Sequence, residues 1–191
     1  GVHVGHGCPE KCTFCAATVG SGASPTYMSA RTIVDQAAEA YLQLDPGKPR
    51  FVMLETENLT SNRPLIRQLR DARADIGSDF RWGCYGRIDH IDQELLDVLV
   101  SAGCCFMFLG IESGSPRMQR LLGKNLRIES VLPNIKSLHD NKIFTQSSFI
   151  YGLPKESLED FVSSARLIAE INWACGSGDW ANVLREADRT M

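Results

Sequence analysis

One feature limits the folds open to this chain more than any other. Short apolar runs suited to strands alternate with helical patterns, five times in succession. The strand-like runs are residues 2–5, 51–55, 80–85, 105–110 and 143–150, each rich in β-branched, aromatic or otherwise apolar side chains. After the first, Ile33, Val34, Ala37, Ala38, Tyr41 and Leu42 recur at helical spacing. Residues 64–76 carry Leu65, Ile66 and Leu69 on one side, and residues 92–102 form a third helical pattern with Gly103 at its stop. Ser115-Pro116 reads as an N-cap followed by proline at the first helical position, opening a short helix to Leu122. Residues 127–140 follow, and Pro133 is expected to bend or delay that helix. Ser157-Leu158-Glu159-Asp160 has capping-box spacing, with Asp in place of Glu, and opens a helix to Ile171.

Strict alternation of this kind predicts an α/β fold with a parallel sheet and right-handed crossovers. A barrel and an open doubly wound sheet both satisfy it. No G-x-G-x-x-G follows the first strand, so the dinucleotide-binding signature is missing. After Ile171 the pattern fades and no sixth strand can be read. Residues 1–171 are therefore expected to form the βα core, and residues 172–191 a tail or an incomplete sixth unit. The chain starts at Gly1 and enters a strand at once, which suggests a piece of a longer protein.

Composition removes several function classes. The 191 residues are 43% hydrophobic and 23% charged, which suits one large globular domain rather than a disordered segment. A net charge of −3 without a basic run does not indicate a nucleic-acid partner. The longest apolar run, residues 104–109, is far too short to span a bilayer. With no signal peptide visible, the cytoplasm is the expected compartment. Seven cysteines is an odd count, and Cys104 and Cys105 are adjacent within a strand-like run. That is a poor pattern for a disulfide scaffold and a better one for reduced thiols, some of them metal ligands.

Three of those cysteines lie in "GCPEKCTFC": Cys8, Cys12 and Cys15, spaced C-x3-C-x2-C. They occupy the first βα loop, and parallel α/β folds gather their chemistry at the C-terminal ends of strands. A structural zinc site pairs two short cysteine hooks, and only one is present. A redox dithiol of Cys12 and Cys15 leaves Cys8 unexplained. Core cysteines are poorly placed beside Pro9, Glu10 and Lys11. Three thiolates suit a [4Fe–4S] cluster in which one iron has no protein ligand and stays open to a substrate or cofactor. An iron–sulfur electron carrier needs a fourth cysteine close to these three.

The cysteine motif, with Phe14 before the last cysteine, resembles the signature of the radical S-adenosylmethionine (radical SAM) enzymes, and the resemblance extends over roughly residues 4–171. It implies a partial (β/α)6 TIM-like barrel, here truncated after the fifth βα unit. It also implies a [4Fe–4S] cluster on Cys8, Cys12 and Cys15 whose open iron is chelated by the amino and carboxylate groups of SAM. In that family an electron from the cluster cleaves SAM, and the 5′-deoxyadenosyl radical abstracts a hydrogen from the substrate. "FLGIESGS" resembles the ribose-contacting motif, with Glu112 as acceptor, and "SFIYGLPKES" the motif along the adenine, with Ile150 and Gly152 offering backbone and packing contacts. Lys155 stands where many relatives carry glycine. Phe14 is expected at the adenine edge. "LETENLT" replaces the family's Gly-Gly-Glu motif, so either Glu55 or Glu57 is expected to hold the SAM amine. Arg87 is expected to face the SAM carboxylate, with Lys124 as another cationic candidate. The three motifs together resemble the branch often fused to a cobalamin-binding domain, which would lie outside this chain. The partners implied are a small-molecule or peptide substrate and a reductant such as flavodoxin or ferredoxin. The catalytic residues and the reaction outcome are left open.

Overall fold

The longest strand, Cys104–Glu112, lies inside the sheet and sends alternate side chains to two different surroundings. Cys105, Met107, Leu109 and Ile111 are fully buried, whereas Phe106, Phe108 and Gly110 are half-buried. The computed structural model describes residues 1–20 and 24–175. In chain order the first elements are β1 (Val2–His3), β2 (Gly5–His6), α1 (Ala17–Gly20), β3 (Thr26–Tyr27), α2 (Ala30–Leu42) and β4 (Val52–Glu55). Then come α3 (Arg63–Asp75), β5 (Trp82–Gly86), α4 (Gln93–Ser101), β6 (Cys104–Glu112) and α5 (Pro116–Leu121). The last are α6 (Val131–Asp140), β7 (Phe144–Phe149) and α7 (Leu158–Cys175).

Five strands form a parallel sheet in the order β1-β4-β5-β6-β7. Val2, Leu54, Cys84, Met107 and Thr145 stand in one row across it. This is the parallel α/β architecture that the alternation predicts. The first strand differs from the expected run at 2–5. It stops at His3, and β2 turns away to pair antiparallel with β3. Val4 joins the two parts, its N–H on Glu55 O and its carbonyl on Met28 N–H. The remaining boundaries shift by one or two residues, as element ends commonly do.

The helices start where a side chain can accept from an otherwise unpaired N–H. Ser29, Asn62, Asp92 and Ser115 cap α2, α3, α4 and α5 by accepting from Thr32, Leu65, Leu95 and Met118. Pro133 delays its helix: a 3-10 turn covers Ile128–Ser130, α6 begins at Val131, and the proline sits in the first turn, where an N–H is not needed. The last helix runs four residues past the expected stop at Ile171, so residues 172–175 belong to α7. The rest of the expected tail, 176–191, lies outside the described residues.

The helices pack on one face of the sheet. Leu54, Trp82, Met107 and Leu109 meet Ile33, Ile66, Leu99, Ile135 and Leu138, each at most 1% exposed. Burying such a side chain contributes about 1.5–3 kcal/mol. The Trp82 indole N–H, which burial would otherwise orphan, donates to Ala102 O at 2.7 Å. Among the described residues no helix is long and apolar enough to cross a membrane.

Candidate active site

The antiparallel pair of β2 and β3 closes the two feet of a long excursion that carries all three motif cysteines. A second anchor holds its middle. The last carbonyls of α5 have no partner within the helix, and Thr13 takes two of them, its N–H donating to Leu122 O at 2.9 Å and its Oγ1 to Leu121 O at 3.2 Å. Cys8, Cys12 and Cys15 are thereby brought to one wall of a cavity of about 260 Å³ at the C-terminal ends of β5 and β6. Cys12 is 8% exposed, and the other two are half-buried.

Glu112 faces them. The β6–β7 register shifts between Gly110 and Glu112, and Glu112 takes a φ of 69°, in the left-handed region that side chains other than glycine rarely enter. This turn swings the carboxylate into the cavity. Lys124 Nζ lies 3.5 Å from Glu112 Oε1, and Ser148 Oγ donates to Oε2 at 3.4 Å. The same ammonium lies 6.0 Å from the Phe14 ring centroid.

The turn is braced from behind by α7. Ser164 Oγ accepts from Gly114 N–H and meets Ser113 Oγ. Asp160, 4% exposed, accepts from Ser115 Oγ, Arg117 and both the N–H and Oγ of Ser157. Arg117 and the two serines hold the Asp160 carboxyl well below the usual carboxylate range. Gln119 donates to Ile111 O and Ser113 O and closes the loop from a third side.

Arg87 is 6% exposed and fully engaged within the protein. Its fork donates to Asp89 at 3.0 and 2.7 Å and to Lys124 O at 2.8 Å. Nη1 lies 3.5 Å from Glu10 and 3.9 Å from Cys12 Sγ. Burial pushes the Cys8 and Cys12 thiols up; at Cys12 the charges of Lys124 and Arg87 pull the other way.

Of the residues singled out from the sequence, Cys8, Cys12, Phe14, Cys15, Glu57, Arg87 and Glu112 line this one cavity, and so does Lys124. Glu55 does not. It is exposed at the end of β4 and borders a neighbouring pocket of about 340 Å³ with His3, Gly5 and Thr56. Glu57 and Tyr85 belong to both spaces. Ile150 and Gly152 are not part of the cavity wall; Ile150 N–H donates to Glu112 O at 2.9 Å, and Gly152 has a φ of 74°. Lys155 has a φ of 68°, which explains physically why glycine suits that position. The wall also holds Glu10, Asn58, Tyr85, Phe108 and Ser148, which sequence patterns did not single out. Strand alternation was the available signal for three of them: Phe108 precedes Glu112 by four residues on the same face, Tyr85 follows Gly83, and Ser148 follows Gln146.

The donor set fits an iron–sulfur cluster. Three thiols share a concave wall, and two buried cations beside them favour an anionic group. Among the described residues no three Cys, His, Asp or Glu side chains converge on a point that would chelate a single metal ion. Thiolates of a cluster each bind a different iron and need no such point.

A parallel α/β sheet with a cysteine-lined cavity at its C-terminal edge defines the class, and comparison with known proteins defines the family. The family model of the Radical SAM superfamily matches residues 2–168, so the chain belongs to that superfamily. It is 22% identical to an uncharacterized methyltransferase of Pyrococcus horikoshii, over 90% of this chain and 37% of that protein. It is 25% identical to the bacteriochlorophyllide d C-12(1)-methyltransferase of Chlorobaculum tepidum, over 86% of this chain and 36% of the relative. The structure of the radical SAM methyltransferase TsrM from Kitasatospora setae, with cobalamin and a [4Fe–4S] cluster bound, superposes with a TM-score of 0.75 at 17% identity, covering 90% of this chain and 34% of TsrM. The cobalamin-dependent radical enzyme OxsB, with aqua-cobalamin and SAM bound, also gives 0.75, at 18% identity over 98% of this chain and 29% of OxsB. The chain thus spans roughly a third of the length of the curated relatives it matches, and shares its fold with the cobalamin-dependent branch.

Proposed function

We propose that this chain is the cluster- and SAM-binding core of a radical SAM enzyme that acts on a small-molecule or peptide substrate, with cobalamin held by a domain outside these residues. One observation carries it: Cys8, Cys12 and Cys15 share a single cavity with Glu57, Glu112 and Lys124 at the C-terminal ends of the parallel strands. The bound cluster would supply the electron that cleaves SAM to a 5′-deoxyadenosyl radical.

The chain's own side chains divide the remaining work. Cys8, Cys12 and Cys15 would hold the cluster as thiolates. Glu112, fixed by Lys124 and Ser148, offers two oxygens to ribose hydroxyls. Glu57 would accept from the SAM ammonium, a choice supported by its lining this cavity while Glu55 does not. The Arg87 fork is taken by Asp89, so Arg87 acts on Cys12 through its charge, and Lys124, already beside Glu112, would meet the SAM carboxylate with its remaining N–H donors. Phe14 would lie at the adenine edge, while Ile150 and Gly152, outside the cavity wall, would act indirectly, Ile150 by donating its N–H to Glu112 O. The electron would come from a reductant of the flavodoxin or ferredoxin type.

Anaerobic reconstitution with iron and sulfide tests the proposal. The expected product is a brown protein whose reduced cluster changes its electron paramagnetic resonance (EPR) spectrum on adding SAM and releases 5′-deoxyadenosine. Cys12→Ala abolishes both. A protein that takes up zinc in place of the cluster, or a cluster whose spectrum ignores SAM, rejects the proposal.

A further inference from the structure

The helices pack on one face of the parallel sheet, and side chains on the other face stay partly exposed. Sheets of this kind are ordinarily buried on both faces. The row next to Val2, Leu54, Cys84 and Met107 points to the open side: His3 stands opposite Glu55, Tyr85 opposite Phe108, and Phe108 opposite Gln146. Glu55 and Tyr85 each follow the paired Leu54 and Cys84, so the row is continuous. It is not built as a water-facing surface. The Tyr85 and Phe108 rings meet at 5.3 Å between centroids, and behind them Phe51 stacks on Phe106 at 5.1 Å. Even so, Tyr85 is 39% exposed.

At its β1–β4 end this row borders the pocket of about 340 Å³ beside the cysteine cavity. The Glu55 carboxylate is exposed there and enters no ion pair among the described residues. Gly1 leaves it room, since a Cβ at Gly1 would fall 1.9 Å from Glu55 Oε1. With His3, Thr56, Glu57 and Tyr85, the wall carries two carboxylates and an aromatic ring, and no Lys or Arg. Such a lining suits an ammonium group: the carboxylates accept its N–H bonds, and the phenol ring offers its face to the charge. Glu57 and Tyr85 also belong to the cysteine cavity, so a molecule anchored at Glu55 has its next atoms beside the place of SAM cleavage.

We propose that this pocket holds the substrate, and that the substrate carries an amine, cationic at neutral pH, which Glu55 binds. The carbon that loses its hydrogen then lies over Tyr85, on the side of the cysteine cavity. This assignment rests on the proposed function and gives Glu55 a task separate from that of Glu57. The same two carboxylates repel an acidic or phosphorylated substrate, so the pocket selects by charge.

The test titrates the whole chain, cluster-loaded and unloaded, with phenethylamine and with phenylpropionate, a ligand of similar shape and opposite charge. Calorimetry and ligand-observed NMR follow binding. The amine is expected to bind, more weakly as salt is raised, and the carboxylate is not. The reduced cluster is paramagnetic and should broaden the resonances of the bound amine, which places the probe beside the cysteines. Glu55→Gln keeps the side-chain size and removes the charge. It is expected to weaken amine binding about tenfold or more, while the EPR spectrum of the reduced cluster still changes on adding SAM. Tyr85→Leu is expected to weaken the amine several-fold. Equal binding of amine and carboxylate, unchanged amine binding in Glu55→Gln, or no amine binding by the wild-type chain at millimolar concentration overturns the amine site while leaving the cluster assignment standing. So does a Glu55→Gln protein whose cluster ignores SAM, because Glu55 would then hold SAM itself. Failure of the wild-type chain to load any cluster overturns the proposed function instead, whatever the unloaded chain binds.

Discussion

At Glu112 the left-handed backbone and the register shift would serve no purpose in an ordinary strand end, and they are sustained by specific neighbours. Gly110 makes room for them. A Cβ there would fall 2.2 Å from Glu112 Oε1 and 3.0 Å from Lys124 Nζ. Gly110→Ala can be accommodated only by moving that carboxylate and ammonium, both flexible ends, so the fold survives while the site is displaced. The expected result is an unfolding free energy within about 1 kcal/mol of wild type and SAM affinity weakened about tenfold or more. Calorimetric titration of the reconstituted protein, beside a urea melt, checks both halves. Lys155 poses the reverse case. Its φ of 68° strains a residue with a Cβ, and its backbone carbonyl, which accepts from Arg117, does not depend on the side chain. Lys155→Gly is expected to stabilise the chain by about 0.5–1 kcal/mol, the strain relieved exceeding the added chain entropy. A melt no higher than wild type would refute it.

Between elements, the decisive joint is the one from α7 to the turn after β6, made by Asp160. As a capping box, Ser157 and Asp160 exchange bonds at the start of α7, and the same carboxylate reaches Ser115 and Arg117. Because these partners depress its pKa, the stability it contributes is present above the ordinary carboxylate range and is lost as pH falls below about 4. Asp160→Asn is expected to cost roughly 1–2 kcal/mol at neutral pH and to flatten the stability profile between neutrality and pH of about 3. A variant as acid-sensitive as wild type would show that other carboxylates control that range. The Ser157–Asp160 half of this joint was legible in the sequence, because a capping box is a local pattern three residues wide. The half that reaches Ser115 spans 45 positions, and no local pattern encodes it. The same division holds elsewhere. Cys8, Cys12 and Cys15 announce themselves by spacing, and Gly103 and Pro116 by position. The β2–β3 pair consists of two residues on each side, too short for alternation to show. Glu55 and Glu57 could not be told apart until the end of β4 put Glu57, and not Glu55, on the wall of the cysteine-lined cavity.

Across the whole molecule, stability and chemistry are carried by different layers, and this separation can be tested by crossing two substitutions. Ile66 on α3 is fully buried between helices and sheet, away from the cysteine wall. Ile66→Ala opens a cavity in that layer and is expected to cost about 2–5 kcal/mol. Ile66 lines neither the cysteine-bearing cavity nor the pocket beside it, so the molecules that remain folded should load cluster normally at low temperature. Cys12→Ala inverts the pattern. It removes one sulfur from a cavity wall, so the unloaded protein should melt within about 1 kcal/mol of wild type, yet it deprives the cluster of a ligand. Loading with iron and sulfide should then raise the melting temperature of wild type and of Ile66→Ala by similar amounts, because a ligand that binds only the folded state stabilises it by mass action. It should leave Cys12→Ala unmoved, and removal of the cluster by a chelator should return the first two to their unloaded values. If Ile66→Ala loses cluster capacity while folded, or Cys12→Ala collapses without it, the site and the core form one cooperative unit and the layers are not separable.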